Sequence, residues 1–266
     1  MKPYFFLAFY LLLIPLISLS QELKLRTINN TAFQRGEKLV FRAYYDAILT
    51  GKVTAGEVTL EITNENKKIN GRNTYHIVGV GETKGLFNLF FKVVDRYESY
   101  VDEEAIVPWV FIRRVNEGGY IINQDVMFNH AKKLAISNTA TVPVPEYIQD
   151  VISTFYYART MDISHLQLGQ YQPIDFFIDD TVYNSHFIYL GIENVKTSIG
   201  TIRCYKVKPK VAKGIDFKED YPMILYVSAD KNRIPILGES KVIVGSVKLE
   251  LIKYSGLKNP FEAKIK

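Results

Sequence analysis

From Glu37 to Ile136 apolar and polar residues alternate at period two, and short turn segments interrupt them, which confines this stretch to antiparallel β structure. In Gly56-Glu57-Val58-Thr59-Leu60-Glu61-Ile62, the residues Val58, Leu60 and Ile62 share one face while Glu57, Thr59 and Glu61 share the other. That is a strand with one wet side. The same reading predicts strands over 39–45, 74–81, 93–101, 109–115 and 120–128. Asn70-Gly71, Asp102-Glu103-Glu104 and Asn116-Glu117-Gly118-Gly119 separate some of these strands and are too short for parallel crossovers.

Two segments break the rhythm. Leu86-Phe87-Asn88-Leu89-Phe90-Phe91, following Gly85, is too densely apolar for a half-wet strand and reads as one or two helical turns. Ile148, Val151, Ile152, Phe155 and Tyr156 recur at helical steps, predicting a central amphipathic helix near 146–160 whose start is set by Pro143 and Pro145. Strand patterns then resume over 174–178, 182–195, 201–211, 223–227 and 242–254, with a further one around Ile236. No repeat or linker divides them, so a single β-rich domain is expected over 21–266, built as one continuous sheet or barrel.

The N-terminus reads as an address. Lys2, an apolar run from Tyr4 to Ile17, and Ser18 and Ser20 at the −3 and −1 positions make residues 1–20 a signal peptide, cleaved after Ser20. Pro15 and the length of the run argue against an uncleaved anchor. Position 21 is Gln rather than the Cys that lipid attachment would need, so a soluble or peripheral exported protein is expected. The net charge of +5 lies in no dense Lys/Arg block, which sets nucleic acid aside as a partner. Cys204 stands alone, allows no internal disulfide and is expected to pack as a small apolar side chain.

Catalytic signatures are missing. His76, His130, His165 and His186 show no metal-pair spacing, and no G-x-S-x-G, phosphate-binding loop or dinucleotide fingerprint is present, so no cofactor or metal is called for. Asp95, Glu98, Glu117, Asp125 and the Asp179-Asp180 pair could in principle serve a glycan-active hydrolase, which needs two carboxyls flanking one bond. They read more simply as turn formers and surface ion pairs. The aromatic load is more informative. Phe and Tyr number 16 and 18, many of them beside polar residues on predicted strands, where they can pack a core or line a cavity.

Several segments carry a broader likeness: Gly51-Lys52-Val53-Thr54-Ala55-Gly56, Lys84-Gly85-Leu86-Phe87, Val93-Val94-Asp95-Arg96-Tyr97-Glu98-Ser99-Tyr100, Glu117-Gly118-Gly119-Tyr120 and Asp230-Lys231-Asn232-Arg233-Ile234-Pro235. Together they resemble an exported bacterial domain-of-unknown-function family, family 3108, of Gram-negative cell envelopes. The resemblance implies an all-β fold with one or two short helices, as a strongly curved antiparallel sheet or an open lipocalin-like barrel. It brings no catalytic residues.

The expectation is therefore a non-enzymatic periplasmic or envelope protein. Its curved sheet would bind a lipid, an acyl chain or a lipidated partner, with peripheral membrane contact allowed. Candidate ligand-binding residues are Leu86, Phe87, Phe90, Phe91, Tyr97, Trp109 and Tyr120. The alternatives are the glycan-active hydrolase and a structural module with no ligand.

Overall fold

Most of the alternating segments form strands, and their apolar side chains gather in buried cores. The computed structural model describes residues 24–47, 51–85, 87–211, 220–241 and 246–265, so the expected leader and Leu86 lie outside the described residues. The first half contains β1 (Lys38–Ala47), β2 (Gly51–Ile62), β3 (Lys67–Ile69), β4 (Arg72–Thr83), β5 (Val94–Asp102), β6 (Pro108–Glu117), β7 (Tyr120–Asn129), β8 (Leu134–Ser137) and β9 (Thr141–Pro143). Between β4 and β5 sits a one-turn helix, α1 (Phe87–Phe90). Then follow β10 (Gln149–Asp150), the helix α2 (Val151–Thr160), and the short strands β11 (Tyr171–Pro173), β12 (Phe176–Ile178) and β13 (Thr181–Tyr183). The second half comprises β14 (His186–Thr197), β15 (Gly200–Pro209), β16 (Met223–Ser228), β17 (Pro235–Lys241) and β18 (Ser246–Ser255).

One antiparallel sheet runs β11-β14-β15-β16-β17-β18-β1-β2-β4-β5-β6-β7-β8-β9, with β3 beside β4. Its seam is the pairing of β1 with β18, Lys38 opposite Ser255 and Asp46 opposite Ser246. The sheet does not close. Its two end strands, β9 and β11, are three residues long and finish in Pro143 and Pro173, which blunts edges that would otherwise recruit another strand. A small second sheet pairs β12 with β10 in parallel and with β13 in antiparallel.

The central helix begins later than its apolar spacing predicts. Tyr147 has a left-handed φ of 61°, and Gln149 and Asp150 are spent pairing with Phe176 and Phe177, so the chain stays extended through Ile148. Asp150 then caps the helix: Ser153 N donates to its Oδ1 at 2.7 Å, and its own N–H donates to Ser153 Oγ at 2.8 Å. The expected strand over 182–195 likewise divides into β13 and β14, because Ser185 turns away to bond Ile174 and Asp175.

Helix α2 lies on the concave face. A Cβ on Gly79 of β4 would approach Ile152 Cδ1 to 3.2 Å and Leu60 Cδ2 to 3.1 Å, so the missing side chain lets the helix seat closely. Ile152 and Tyr156 join Phe33, Ile62, Ile77, Val101, Phe111 and Val126 in one core. A second core gathers Leu39, Phe41, Ile202, Cys204, Ile234, Ile236 and Leu251. Burial there pushes the Cys204 thiol up to about 12, which leaves it a packing residue rather than a nucleophile. At the far end of α2 the buried Arg159 guanidinium clasps both oxygens of buried Glu37, at 2.6 and 2.8 Å, and donates to the Asn232 carbonyl at 3.0 Å.

Candidate functional site

The turn after β4 exposes what a soluble strand would bury. Gly85 adopts φ 59°, and α1 follows as a single turn closed by Phe91 N donating to Phe87 O at 2.8 Å. Its base is pinned. Lys84 N donates to Ala55 O at 3.0 Å, and Thr83 Oγ1 accepts from Val93 N at 3.0 Å while donating to Asn88 at 3.2 Å. The apolar side chains stand clear of this base, with exposures of 40% for Phe87, 77% for Leu89, 86% for Phe90 and 52% for Phe91. The segment is an outward lip and contributes no buried residue to the core.

The β6–β7 turn meets the lip. Gly118 has φ 58°, its N–H donates to Lys92 O at 2.9 Å, and a Cβ there would collide with the Phe91 ring at 2.4 Å. Tyr120 and Ile121 follow, 65% and 62% exposed. Phe87, Phe90, Phe91 and Tyr120 thus gather on one rim of the sheet, together with Leu89 and Ile121. Leu89 belonged to the apolar segment singled out but not to the candidate residues, and Ile121 is the member that sequence reasoning missed altogether. Its signal was an apolar pair, Tyr120-Ile121, placed directly after a Gly-Gly turn.

The remaining candidates sit elsewhere. Tyr97 is half-buried on the concave face, its ring 6.2 Å from Phe111 and 5.8 Å from the Arg113 guanidinium. Trp109 is buried near the opposite end of β6, about 26 Å from the lip at strand rise. There its Nε1 donates to Asp102 Oδ2 at 3.1 Å and its ring lies 4.9 Å from His130. Trp109 therefore serves the core.

The candidate hydrolytic carboxyls are engaged one by one. Glu98 meets Arg96 and His76, each at 2.7 Å, Asp125 meets Arg114 at 2.6 Å, and Asp95 accepts from Asn116 N at 3.1 Å. Burial pushes the Glu98 carboxyl up, but the Arg96 and His76 hydrogen bonds outweigh it and hold the group low, the wrong direction for a general acid. Desolvation raises Asp150 to about 6, but that carboxyl is fully buried between Ser99 and the α2 cap. His130 donates to or accepts from nothing reactive, contacting the Pro108 carbonyl at 2.7 Å, and His186 contacts Tyr221 at 2.7 Å. Among the described residues no group of three His, Cys, Asp or Glu could hold a metal.

Two shallow concavities lie among the described residues. One, about 30 Å³, lies among Leu25, His130, Val144 and Tyr147 and has room for about one water molecule. The other is an open groove of about 300 Å³ bounded by β7, the β8–β9 turn and the β12–β13 turn, lined by Ile122, Gln124, Asn138, Thr139, Asp179 and Asp180.

A family model described as a protein of unknown function, DUF3108, matches residues 40–252. No curated protein matches the chain. The fold is similar to the crystal structure of a β-barrel-like protein of domain-of-unknown-function family 1849 from Brucella abortus. The TM-score is 0.54 at 9% identity, over 87% of this chain and 99% of that one. Weaker likenesses are to a candidate lipoprotein from Parabacteroides distasonis (TM-score 0.32, 13% identity, 87% of this chain, 100% of that one) and a candidate exported protein with a YmcC-like fold from Bacteroides fragilis (0.33, 9%, 87%, 100%). The first likeness supports the barrel-like architecture; the other two add nothing to it.

Proposed function

The chain belongs to the DUF3108 family of unknown function, and from that starting point we propose that it is a non-enzymatic cell-envelope protein whose exposed rim engages the acyl chains of a lipid surface. The observation that carries this reading is the run of four large apolar side chains, Phe87, Leu89, Phe90 and Phe91, held outward on a pinned single turn. Soluble monomers scatter exposed apolar residues singly, and contiguous patches mark contact sites. Helix α2 packs on the concave face that a lipocalin-like interior ligand would need, so the reading places lipid at the rim instead.

The energetics favour a reversible contact. Burying one Leu or Phe contributes about 1.5 to 3 kcal/mol, so Leu89 and Phe90 together supply a millimolar association. Lys92 lies beside the turn, and the net charge, +4 once Lys2 leaves with the expected leader (32 basic minus 28 acidic), adds attraction to an anionic surface. The N-terminal leader expected from the sequence supports placement in the envelope. Flotation with vesicles of phosphatidylethanolamine and phosphatidylglycerol tests the proposal. The parent protein should float with the vesicles, while Leu89→Ser/Phe90→Ser should stay below them with unchanged melting. A parent that stays below, or a variant that floats equally, ends this reading.

A further inference from the structure

We propose that the protein seats end-on upon a lipid surface, through a second apolar contact at the β1–β18 seam as well as through the lip. This rests on the lipid reading of the lip and extends it along the rim that carries it.

The strand register places both contacts at one end of the sheet. β1 ends at Ala47 and β2 begins at Gly51, β17 ends at Lys241 and β18 begins at Ser246, and β4 and β6 end where the lip and the β6–β7 turn start. In this outer layer Tyr45 pairs with Val53 on one side and with Val247 on the other. Directly opposed residues share a face, so the three side chains form one row across the seam, about 10 Å wide at two strand spacings. Val53 is 37% and Val247 47% exposed. Ser240, opposite Val247 on β17, continues the row without a charge. The ionisable neighbours alternate to the other face, where Asp46 lies opposite Lys52, and Lys248 holds Asp46 at 3.0 Å and Glu239 at 3.5 Å.

The row is continuous with the lip. Lys84 N donates to Ala55 O at 3.0 Å. Val53 stands two residues farther out on β2, about 7 Å beyond that bond at strand rise.

The two ends of the sheet argue for what covers the row. At the far end the connections read Asn64-Glu65-Asn66, Asp102-Glu103-Glu104 and Asp230-Lys231-Asn232, the polar composition that turns ordinarily have. At the lip end they depart from it, with the lip itself, Tyr120-Ile121 after Gly118-Gly119, and the valines of the seam. The chain outside the described residues agrees in composition, since Ile48-Leu49-Thr50 and Val242-Ile243-Val244-Gly245 hold no charge. Exposed apolar side chains thus follow the strand ends from β18 round to β7, about 29 Å along the sheet at six strand spacings. A partner on the flank of the sheet would meet the lip or the seam, whereas a planar apolar surface meets both. Two contacts held in one body also reinforce each other without any new interaction.

Site-directed fluorescence on the purified protein tests the seating. Cys204 is fully buried, so a thiol-reactive nitrobenzoxadiazole label goes to one introduced cysteine at a time, in Phe90→Cys, Val53→Cys, Val247→Cys and, on exposed β3 at the polar end, Lys68→Cys. With vesicles of phosphatidylethanolamine and phosphatidylglycerol, labels at the first three positions should shift to the blue and the label at Lys68 should not. Val53→Ser/Val247→Ser should bind the same vesicles about tenfold more weakly than the parent, with unchanged melting. A shift at Phe90 without one at Val53 and Val247 would overturn the end-on seating and leave the lip reading standing, while silence at Phe90 would end both. An equal shift at Lys68 would mean adsorption without orientation and would overturn the proposal. A shift at Val53 or Val247 that needs no vesicles and grows with protein concentration would do the same, because a second copy would then cover the row.

Discussion

At one end of the sheet charged and indole groups are buried and partnered; at the other, phenyl rings face water. The first end carries the strap of residues 24–37, where Arg26 lies 4.4 Å over both the Tyr147 and Tyr157 rings and donates to the Ala105 carbonyl at 3.0 Å. Nearby, Asp102 takes Arg72 and the Trp109 indole, and Glu37 takes Arg159. The second end has backbone hydrogen bonds at the base of the lip and of the β6–β7 turn and exposed apolar side chains beyond them. The contrast teaches that polarity and burial are exchanged along these strands. Stability should therefore be concentrated at the polar, closed end, and surface contact at the apolar, open one.

The comparison breaks most visibly at Arg159. Truncation to Ala strands the Glu37 carboxylate in the core and should cost about 3 to 5 kcal/mol in urea melts, while Arg159→Met combined with Glu37→Leu should recover most of it. A loss below about 1 kcal/mol would show that the clasp does not anchor α2.

Asp150 sharpens the same side through pH. Its folded value of about 6 lies above the ordinary carboxyl value, so the stability it contributes is fully present below about pH 4 and lost as pH rises through 6. Asp150→Asn keeps a capping side chain and cannot ionise. The stability of the Asn variant relative to the parent should rise by up to about 3 kcal/mol between pH 4 and pH 7. Parallel curves for the two proteins would remove the buried-carboxyl account.

The smallest effects belong to the open rim. Phe90→Ala should shift the denaturation midpoint by less than about 1 kcal/mol, and Phe87→Ala by about 1 kcal/mol, since both rings are partly or mostly in water. Losses of about 3 to 5 kcal/mol, the scale for a core phenylalanine, would show that the lip folds inward in solution.

The strands were legible because period-two alternation is a local signal, and the β2 sequence shows it from Gly56 to Ile62, although residues 57–61 are all half-buried in the fold. The single turn at α1 was legible for the converse reason, a run too apolar to alternate. The start of α2 was not, since Ile148 fits a helical period but is buried on extended chain held by β12, a partner far along the sequence. Trp109 shows the limit for sites. An indole on a strand looks the same in sequence whether it lines a cavity or answers Asp102, and only the fold distinguishes them. The groove escaped notice because Gln124, Thr139 and Asp180 come from three separate segments, and Asp179-Asp180 looked like an ordinary turn.

The β1–β18 seam sets an order of assembly. Roughly 200 residues separate the paired strands, so this contact has the largest loop-closure cost among the described strand pairs, and β18 follows every other described strand in the chain. The meander from β1 to β9 can zip up through neighbouring hairpins while β1 still presents an unpaired edge. A chain cut before Ser246 would keep that edge open next to Leu39 and Phe41, and so pass from a folding intermediate to an aggregation-prone product. Arrival of β18 is thus the step that joins two growing half-sheets into one.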